Sequence, residues 1–291
     1  LYILLVALTP VHRAPEPSEK TFLSSTASSP QPLPALTDPA AVDLSVVIPA
    51  YNEATRLPSM LDDALNHLQA PSTPKRSVEF IVVDDGSQDK TTAVALELAS
   101  QYKNTDLRVI RLTKNRGKGG AVQAGVLGSR GRRILMVDAD GASRFGDLEQ
   151  LWDEMSKLEV SPETAVVSIG SRAHLVGTEA VVKRSAVRNF LMHGFHVTLR
   201  TLGVGHIRDT QCGFKLFNRP AALALFRPLH LQSWLFDVEL LILAQYQNIP
   251  VAEVPVGWHE VAGSKLRLIS DSIGMLTDLL VLRANYALGR W

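Results

Sequence analysis

Short apolar runs that stop at polar residues alternate along the chain with stretches whose apolar residues recur every three or four positions. The runs are Leu44 to Ile48, Glu79 to Val83, Leu107 to Leu112, Ile134 to Val137 and Ala165 to Ile169. Helical patterns fall between them, over about Ala54 to Gln69, through Leu96 and Leu98, and over Gly119 to Leu127 and Asp147 to Leu158. Near-continuous apolar strands alternating with helices predict an α/β fold, an open, mostly parallel sheet with helices on both faces. Right-handed crossovers then align the carboxyl ends of the strands along one edge, where such sheets bind ligands.

Beyond Gly170 the alternation fails. Ser185 to Leu202 and Phe236 to Gln247 read as amphipathic helices. Leu266 to Leu288 carries Ile269, Ile273, Leu276, Leu279, Leu280 and Leu282 at helical spacing, with Asp271, Asp278 and Arg283 among them. Those charges argue against a membrane span and leave a core helix, the expected case, or one lying in a membrane interface. At the other end, Leu1 to Leu8 is apolar but far short of the roughly 20 residues that cross a bilayer. An ordinary hydrophobic terminus and a signal-peptide remnant are alternatives; the reading taken is the tail of an N-terminal membrane anchor over residues 1–9. Residues 10–42, rich in Pro and Ser without apolar periodicity, read as a disordered tether. Residues 43–260 are then the main domain, and 261–291 a C-terminal amphipathic segment.

Composition narrows the function classes. The chain has 291 residues, 46% hydrophobic and 20% charged, with a net charge of +1, which commits it to no nucleic-acid partner. Cys212 is the sole cysteine, so no intrachain disulfide can form, in keeping with a reducing compartment.

The chemistry sits at the strand ends. Ile134-Leu135-Met136-Val137 runs straight into Asp138-Ala139-Asp140-Gly141. On extended backbone, residues two apart face the same way, so the two acids can converge on one bound group. Crowded carboxylates repel unless a positive charge lies between them, and a hard divalent cation bridging to phosphate oxygens relieves this. A merely solvated pair is the alternative. Two more strand ends tip the balance: Pro49-Ala50-Tyr51-Asn52-Glu53 and Asp84-Asp85-Gly86-Ser87 deliver polar residues to the same edge. Asp84 and Asp85 could equally cap the helix that follows. Asn115-Arg116-Gly117-Lys118-Gly119-Gly120 is not a P-loop, because Gly follows Lys118, yet its helix amino terminus can attract an anion. Asp237 and Glu239 open a helix and need do no more than favour its dipole.

Taken together, these motifs resemble the family 2 glycosyltransferases, from about Leu44 to Trp258. The Gln-X-X-Arg-Trp motif of that family's processive polysaccharide synthases is absent from the sequence. The resemblance implies a GT-A-type nucleotide-sugar-binding fold and an Asp-X-Asp metal site at Asp138 and Asp140 for Mg²⁺ or Mn²⁺. Asp138-Ala139-Asp140-Gly141-Ala142-Ser143 and Asp209-Thr210-Gln211-Cys212-Gly213-Phe214-Lys215 look like the members that move glucose from UDP-glucose to dolichyl phosphate. Those members work at the cytosolic face of the endoplasmic reticulum membrane, held by one amino-terminal anchor; mannosyl-transferring relatives are the near alternative. Carried over by position, Pro49, Tyr51, Asn52 and Glu53 would wall the base, and Asp84 and Asp85 would hold uracil or ribose. Lys118, Ala139, Arg208 and Gln211 would complete the donor site. Asp138, Asp140, Asp209 and Arg172 would be catalytic. A lipid monophosphate acceptor calls for cations, and Arg172, Lys183, Arg184 and Arg208 are candidates, Arg172 the best placed. A nucleotidyltransferase would carry a Gly-rich basic loop after its first strand, where this chain has Ala50-Tyr51-Asn52-Glu53-Ala54. A non-catalytic sugar-nucleotide sensor would not need both Asp138 and Asp140.

Overall fold

The computed structural model describes residues 2–102, 104–175, 205, 207–263, 265 and 268–291. The helix expected over Ser185 to Leu202, with Lys183 and Arg184, lies outside the described residues. Among them, one sheet holds β1 (Thr21–Ser24), β2 (Gln31–Pro32), β3 (Val42–Ala50), β4 (Val78–Asp84), β5 (Asp106–Arg111), β6 (Gly131–Val137), β7 (Val167–Ser171), β8 (Phe214–Asn218) and β9 (Val251–Pro255). The order across the sheet is β2-β1-β5-β4-β3-β6-β8-β7-β9. The central four, β5-β4-β3-β6, are parallel, as the apolar runs predict.

The helices are α1 (Tyr2–Leu8), α2 (Leu57–Gln69), α3 (Thr91–Gln101), α4 (Lys118–Leu127), α5 (Leu148–Leu158), α6 (Arg219–Phe226), α7 (Phe236–Tyr246) and α8 (Leu268–Ala287). Alternate residues of each central strand feed two cores. Val47, Ile81, Val83 and Met136 pack under α4, α6, α7 and α8, while Val46, Ile48, Phe80 and Leu135 pack under α2, α3 and α5.

The structure departs from the sequence reading in three respects. The run Ala165 to Ile169, expected as the next parallel strand, becomes β7, but β8 inserts antiparallel between it and β6. Phe214–Asn218 and Val251–Pro255, not read as strands, complete that half of the sheet. The third departure is in the Pro- and Ser-rich stretch, expected as a free tether. There β1 pairs antiparallel with β5, Phe22 and Leu23 pack against opposite cores, and Leu36 is buried. Its apolar residues are too few to show a period, but Phe22, Leu23, Leu33 and Leu36 each pack against a core.

In α8, Met275, Leu279 and Leu282 join the core, whereas Ile273, Leu276 and Leu280 are exposed. Among the described residues no helix is long and apolar enough to cross a membrane.

Candidate active site

Strands β3, β4 and β6 end at one edge, and antiparallel β8 begins there, with Val137 opposite Phe214. The Asp138 amide donates to the Gly213 carbonyl (3.1 Å), which extends this ladder one step past β6. The pleat then sorts the next three side chains: Ala139 is buried in the core, and Asp138 and Asp140 stand half-buried on the open side. Asp140 Oδ1 accepts from the Ala142 amide (3.0 Å); its other oxygen has no partner among the described residues. Asp138 Oδ1 lies 2.6 Å from Lys118 Nζ. Asp138 Oδ2 presses against Gly213, where an added Cβ would come within 1.9 Å of it. A side chain at 213 would push the Asp138 carboxylate from this position, which accounts for Gly213 as the last residue before β8.

Lys118 is the first residue of α4, behind Gly117 at φ +85°. Burial disfavours its ammonium, but the carboxylates of Asp138, Asp237 and Asp140 together outweigh that and keep it firmly charged. Its Nζ also lies 5.9 Å from the centre of the Trp234 ring. Beneath it is a second, fully buried pair. Lys215 Nζ, on the second residue of β8, is 2.7 Å from Asp237 Oδ1 on α7 and donates to the Cys212 carbonyl at 2.6 Å. Burial pushes the Asp237 carboxyl up, and Lys215 and Lys118 pull against it. A charged pair with almost no water contact is costly to break, so it pins β8 to the start of α7.

The acids after β4 serve the fold. Asp84 accepts from the Ser87 amide (2.8 Å) and the Thr92 hydroxyl, bracing the turn into α3. Asp85 accepts from the backbone amides of Arg116 (2.7 Å) and Gly117 (3.0 Å), holding the loop that leads to Lys118. Its burial raises the carboxyl to about 7 against those two hydrogen bonds. Neither acid caps α3, which begins after Lys90: Asp84 braces the turn before it and Asp85 anchors a loop, so both carboxylates are engaged by the protein. After β3, Asn52 sits at φ 55°, takes the Gln88 amide on its side-chain oxygen (2.8 Å), and donates its own amide to Ser87 Oγ (2.9 Å). Glu53 is buried and pairs with Arg56, whose Nε donates to Oε2 at 2.7 Å. Burial is the larger influence and raises the Glu53 carboxyl despite Arg56. Pro49 and Tyr51 are half-buried at the same turn.

On the far side, β7 delivers Arg172. Its guanidinium is forked onto Asp209 (Nε to Oδ2, 2.7 Å; Nη2 to Oδ1, 2.9 Å), and its amide also donates to Oδ2 (2.9 Å). This pairing holds Asp209 below the usual carboxylate range despite its burial, which alone would raise it. Glu253 on β9 accepts from the amides of Arg208 (3.1 Å) and Asp209 (3.0 Å), fixing the loop from below. The Arg208 side chain is exposed, and the Gln211 amide reaches Met275 Sδ on α8 at 3.4 Å. Arg172 lies 5.5 Å from the Trp258 ring centre, and the Trp258 segment is stitched to the chain after Asp140 by a bridge with Ser143.

The residues assigned by sequence therefore gather at one edge in three groups: Asn52 with Glu53, Asp138 and Asp140 with Lys118, and Arg172 with Asp209. Sequence reasoning missed Arg56, Gly213, Lys215 and Trp258, and gave Asp237 only a dipole role. Among the described residues no three of His, Cys, Asp and Glu cluster as a metal cage. A hard divalent cation still fits Asp138 and Asp140, whose oxygen donors suit it and which leave one Asp140 oxygen without a partner among the described residues; ligand phosphates would supply further donors.

Comparison with known proteins places this edge in a class. Residues 45–226 match the model of glycosyl transferase family 2. The chain is 47% identical to the dolichyl-phosphate beta-glucosyltransferase of Mus musculus, over 100% of this chain and 89% of that protein. It is 46% identical to the dolichyl-phosphate beta-glucosyltransferase of Saccharomyces cerevisiae, over 99% of this chain and 90% of that one. Among solved structures, glucosyl-3-phosphoglycerate synthase from Mycobacterium tuberculosis in complex with Mn²⁺, UDP-glucose and phosphoglyceric acid superposes with a TM-score of 0.56. That likeness is one of fold, at 19% identity over 84% of this chain and 80% of that one. The chain belongs to glycosyl transferase family 2, and within it to the dolichyl-phosphate beta-glucosyltransferases.

Proposed function

We propose that this chain transfers glucose from UDP-glucose to dolichyl phosphate with inversion, giving dolichyl β-D-glucosyl phosphate for protein N-glycosylation. The observation that carries the reading is the identity to dolichyl-phosphate beta-glucosyltransferases along the whole chain, together with Asp138 and Asp140 side by side at the sheet edge. In the reaction a phosphate oxygen of the acceptor bonds to the glucose C1 as the bond from C1 to the UDP oxygen breaks. Attack from the face opposite the leaving group turns the α-linkage into a β-linkage. The acceptor is already an anion, so no proton has to be removed from it and no strong general base is needed.

Each group of residues then has a task. Asp138 and Asp140 hold a divalent cation, Mg²⁺ or Mn²⁺, which when bound supplies positive charge to the departing diphosphate. Lys118 and the amino terminus of α4 add a second positive wall on the diphosphate side. Pro49, Tyr51, Asn52 and Glu53 shape the base pocket. Arg208, exposed beside the Arg172–Asp209 fork, meets the acceptor phosphate, while the fork keeps the loop from 209 to 213 in place. An acceptor embedded in lipid implies work at a membrane, and we assign the endoplasmic reticulum with the catalytic domain on the cytosolic side. The exposed Tyr2, Ile3 and Leu4 of α1 and Ile273, Leu276 and Leu280 of α8 support a membrane-facing side.

A donor screen with the purified chain and a phosphorylated polyprenol tests the reading. UDP-glucose should be used well ahead of GDP-mannose and UDP-GlcNAc. Preference for GDP-mannose would transfer the protein to the mannosyl-transferring relatives.

A further inference from the structure

Asp138 is already held by a cation of the protein itself. One of its oxygens lies 2.6 Å from Lys118 Nζ and the other lies against Gly213, whereas Asp140 keeps one oxygen without a partner among the described residues. Behind Lys118, Asp237 already carries Lys215 on Oδ1 and so neutralises Lys118 only in part. Turning outward takes Lys118 toward the open edge of the sheet. We infer that Lys118 is an internal counter-cation that a divalent ion must displace from Asp138, and that the donor diphosphate is the anion that accepts it. The inference rests on the UDP-sugar reading above and adds to it a coupling between metal and nucleotide.

The consequence follows from reciprocity of binding free energies. Without nucleotide, a metal ion must strip Lys118 from its nearest carboxylate with no anion to replace it, so metal alone binds weakly. With nucleotide, the displaced ammonium finds phosphate oxygens, so each ligand strengthens the other. A neutral side chain at 118 removes both effects together. The metal binds Asp138 and Asp140 more tightly on its own, the nucleotide binds less tightly, and the coupling between them shrinks. A lysine that only supports the fold would change none of these in that direction.

The experiment is a titration of Mn²⁺, followed by electron paramagnetic resonance, into the full chain with and without UDP, paired with calorimetry of UDP. Wild type, Lys118→Met and Lys118→Arg are compared, each checked for an intact thermal unfolding transition. Lys118→Met should bind Mn²⁺ alone about tenfold more tightly than wild type and show a coupling with UDP reduced by about the same factor, within the range usual for linked sites. Lys118→Arg keeps a cation beside Asp138 and should bind Mn²⁺ alone as weakly as wild type. Equal or weaker Mn²⁺ binding by Lys118→Met, or undiminished coupling with UDP, would overturn the inference while leaving the donor assignment standing. Failure of the wild type to bind UDP at all would strike both.

Discussion

At the scale of single residues, the site separates groups that hold ligand from groups that hold the site. Among the described residues Asp140 accepts one hydrogen bond, from the nearby Ala142 amide, so its charge matters more than its packing. Asp140→Asn should lower the transfer rate at saturating metal by about 10²- to 10³-fold, the range for losing one preorganised electrostatic group, with the melting temperature nearly unchanged. A rate within a fewfold of wild type in that steady-state assay would remove Asp140 from the metal site. Asp237 is the opposite case. Asp237→Ala leaves the Lys215 ammonium buried without its carboxylate and should cost about 3–5 kcal/mol in urea unfolding, whereas Lys215→Met combined with Asp237→Leu should recover most of it. Of these residues, the Asp138–Asp140 pair was legible because an apolar strand running into two alternating acids sets like charges side by side at a sheet edge, which calls for a cation. Lys215 and Asp237 were not, because each has an ordinary local meaning, a polar residue in a short run and an acid at a helix start. Only the antiparallel placement of β8 against β6, which no local pattern encodes, brings them together.

Among elements, the parallel half of the fold was readable and the antiparallel half was not. The helices after β3, β4, β5 and β6 fall within a few residues of their periodic patterns, since each buries one face on the sheet. By contrast, β8 hides a lysine at its second position and β9 is a half-buried edge strand, so neither shows the apolar run that marks a central strand. The loop between β5 and α4 shows how such elements are joined. Asp85 grips it through two backbone amides, yet its burial raises the folded carboxyl to about 7 from an ordinary 3.8. The folded state therefore holds that proton more readily than the unfolded chain over this window, and stability is withdrawn as pH rises from about 4 to about 7. Above that the loss is complete and constant. Asp85→Asn cannot titrate there. Urea unfolding across this range should show the stability difference, wild type minus Asp85→Asn, shifting against wild type and then levelling. Parallel curves would mean that Asp85 stays ionised throughout.

Across the whole molecule, the stretch expected as a tether turns out to support the site from the sheet edge. Glu19 is buried, accepts from the Thr113 amide (2.9 Å) and hydroxyl (3.0 Å), and pairs with Arg116, in the loop that Asp85 holds and that leads to Lys118. Sparse apolar residues hid this from the sequence, because the contacts that order the stretch are polar and reach residues almost a hundred positions away. Removing residues 1–40 should therefore weaken UDP binding as well as lower the melting temperature, and Glu19→Ala alone should reproduce part of the loss. Calorimetry of UDP with both variants checks this; full affinity after truncation would return the stretch to the role of a passive tether. The proposed chemistry stands on a phosphate acceptor and an inverting transfer from UDP-glucose. Its most direct test offers the full chain UDP-glucose with either dolichyl phosphate or free dolichol, and reads the anomeric configuration of the lipid product by NMR. Transfer should go to dolichyl phosphate alone, with a β-glucosyl phosphate as product; equal glucosylation of dolichol, or an α-linked product, would contradict it.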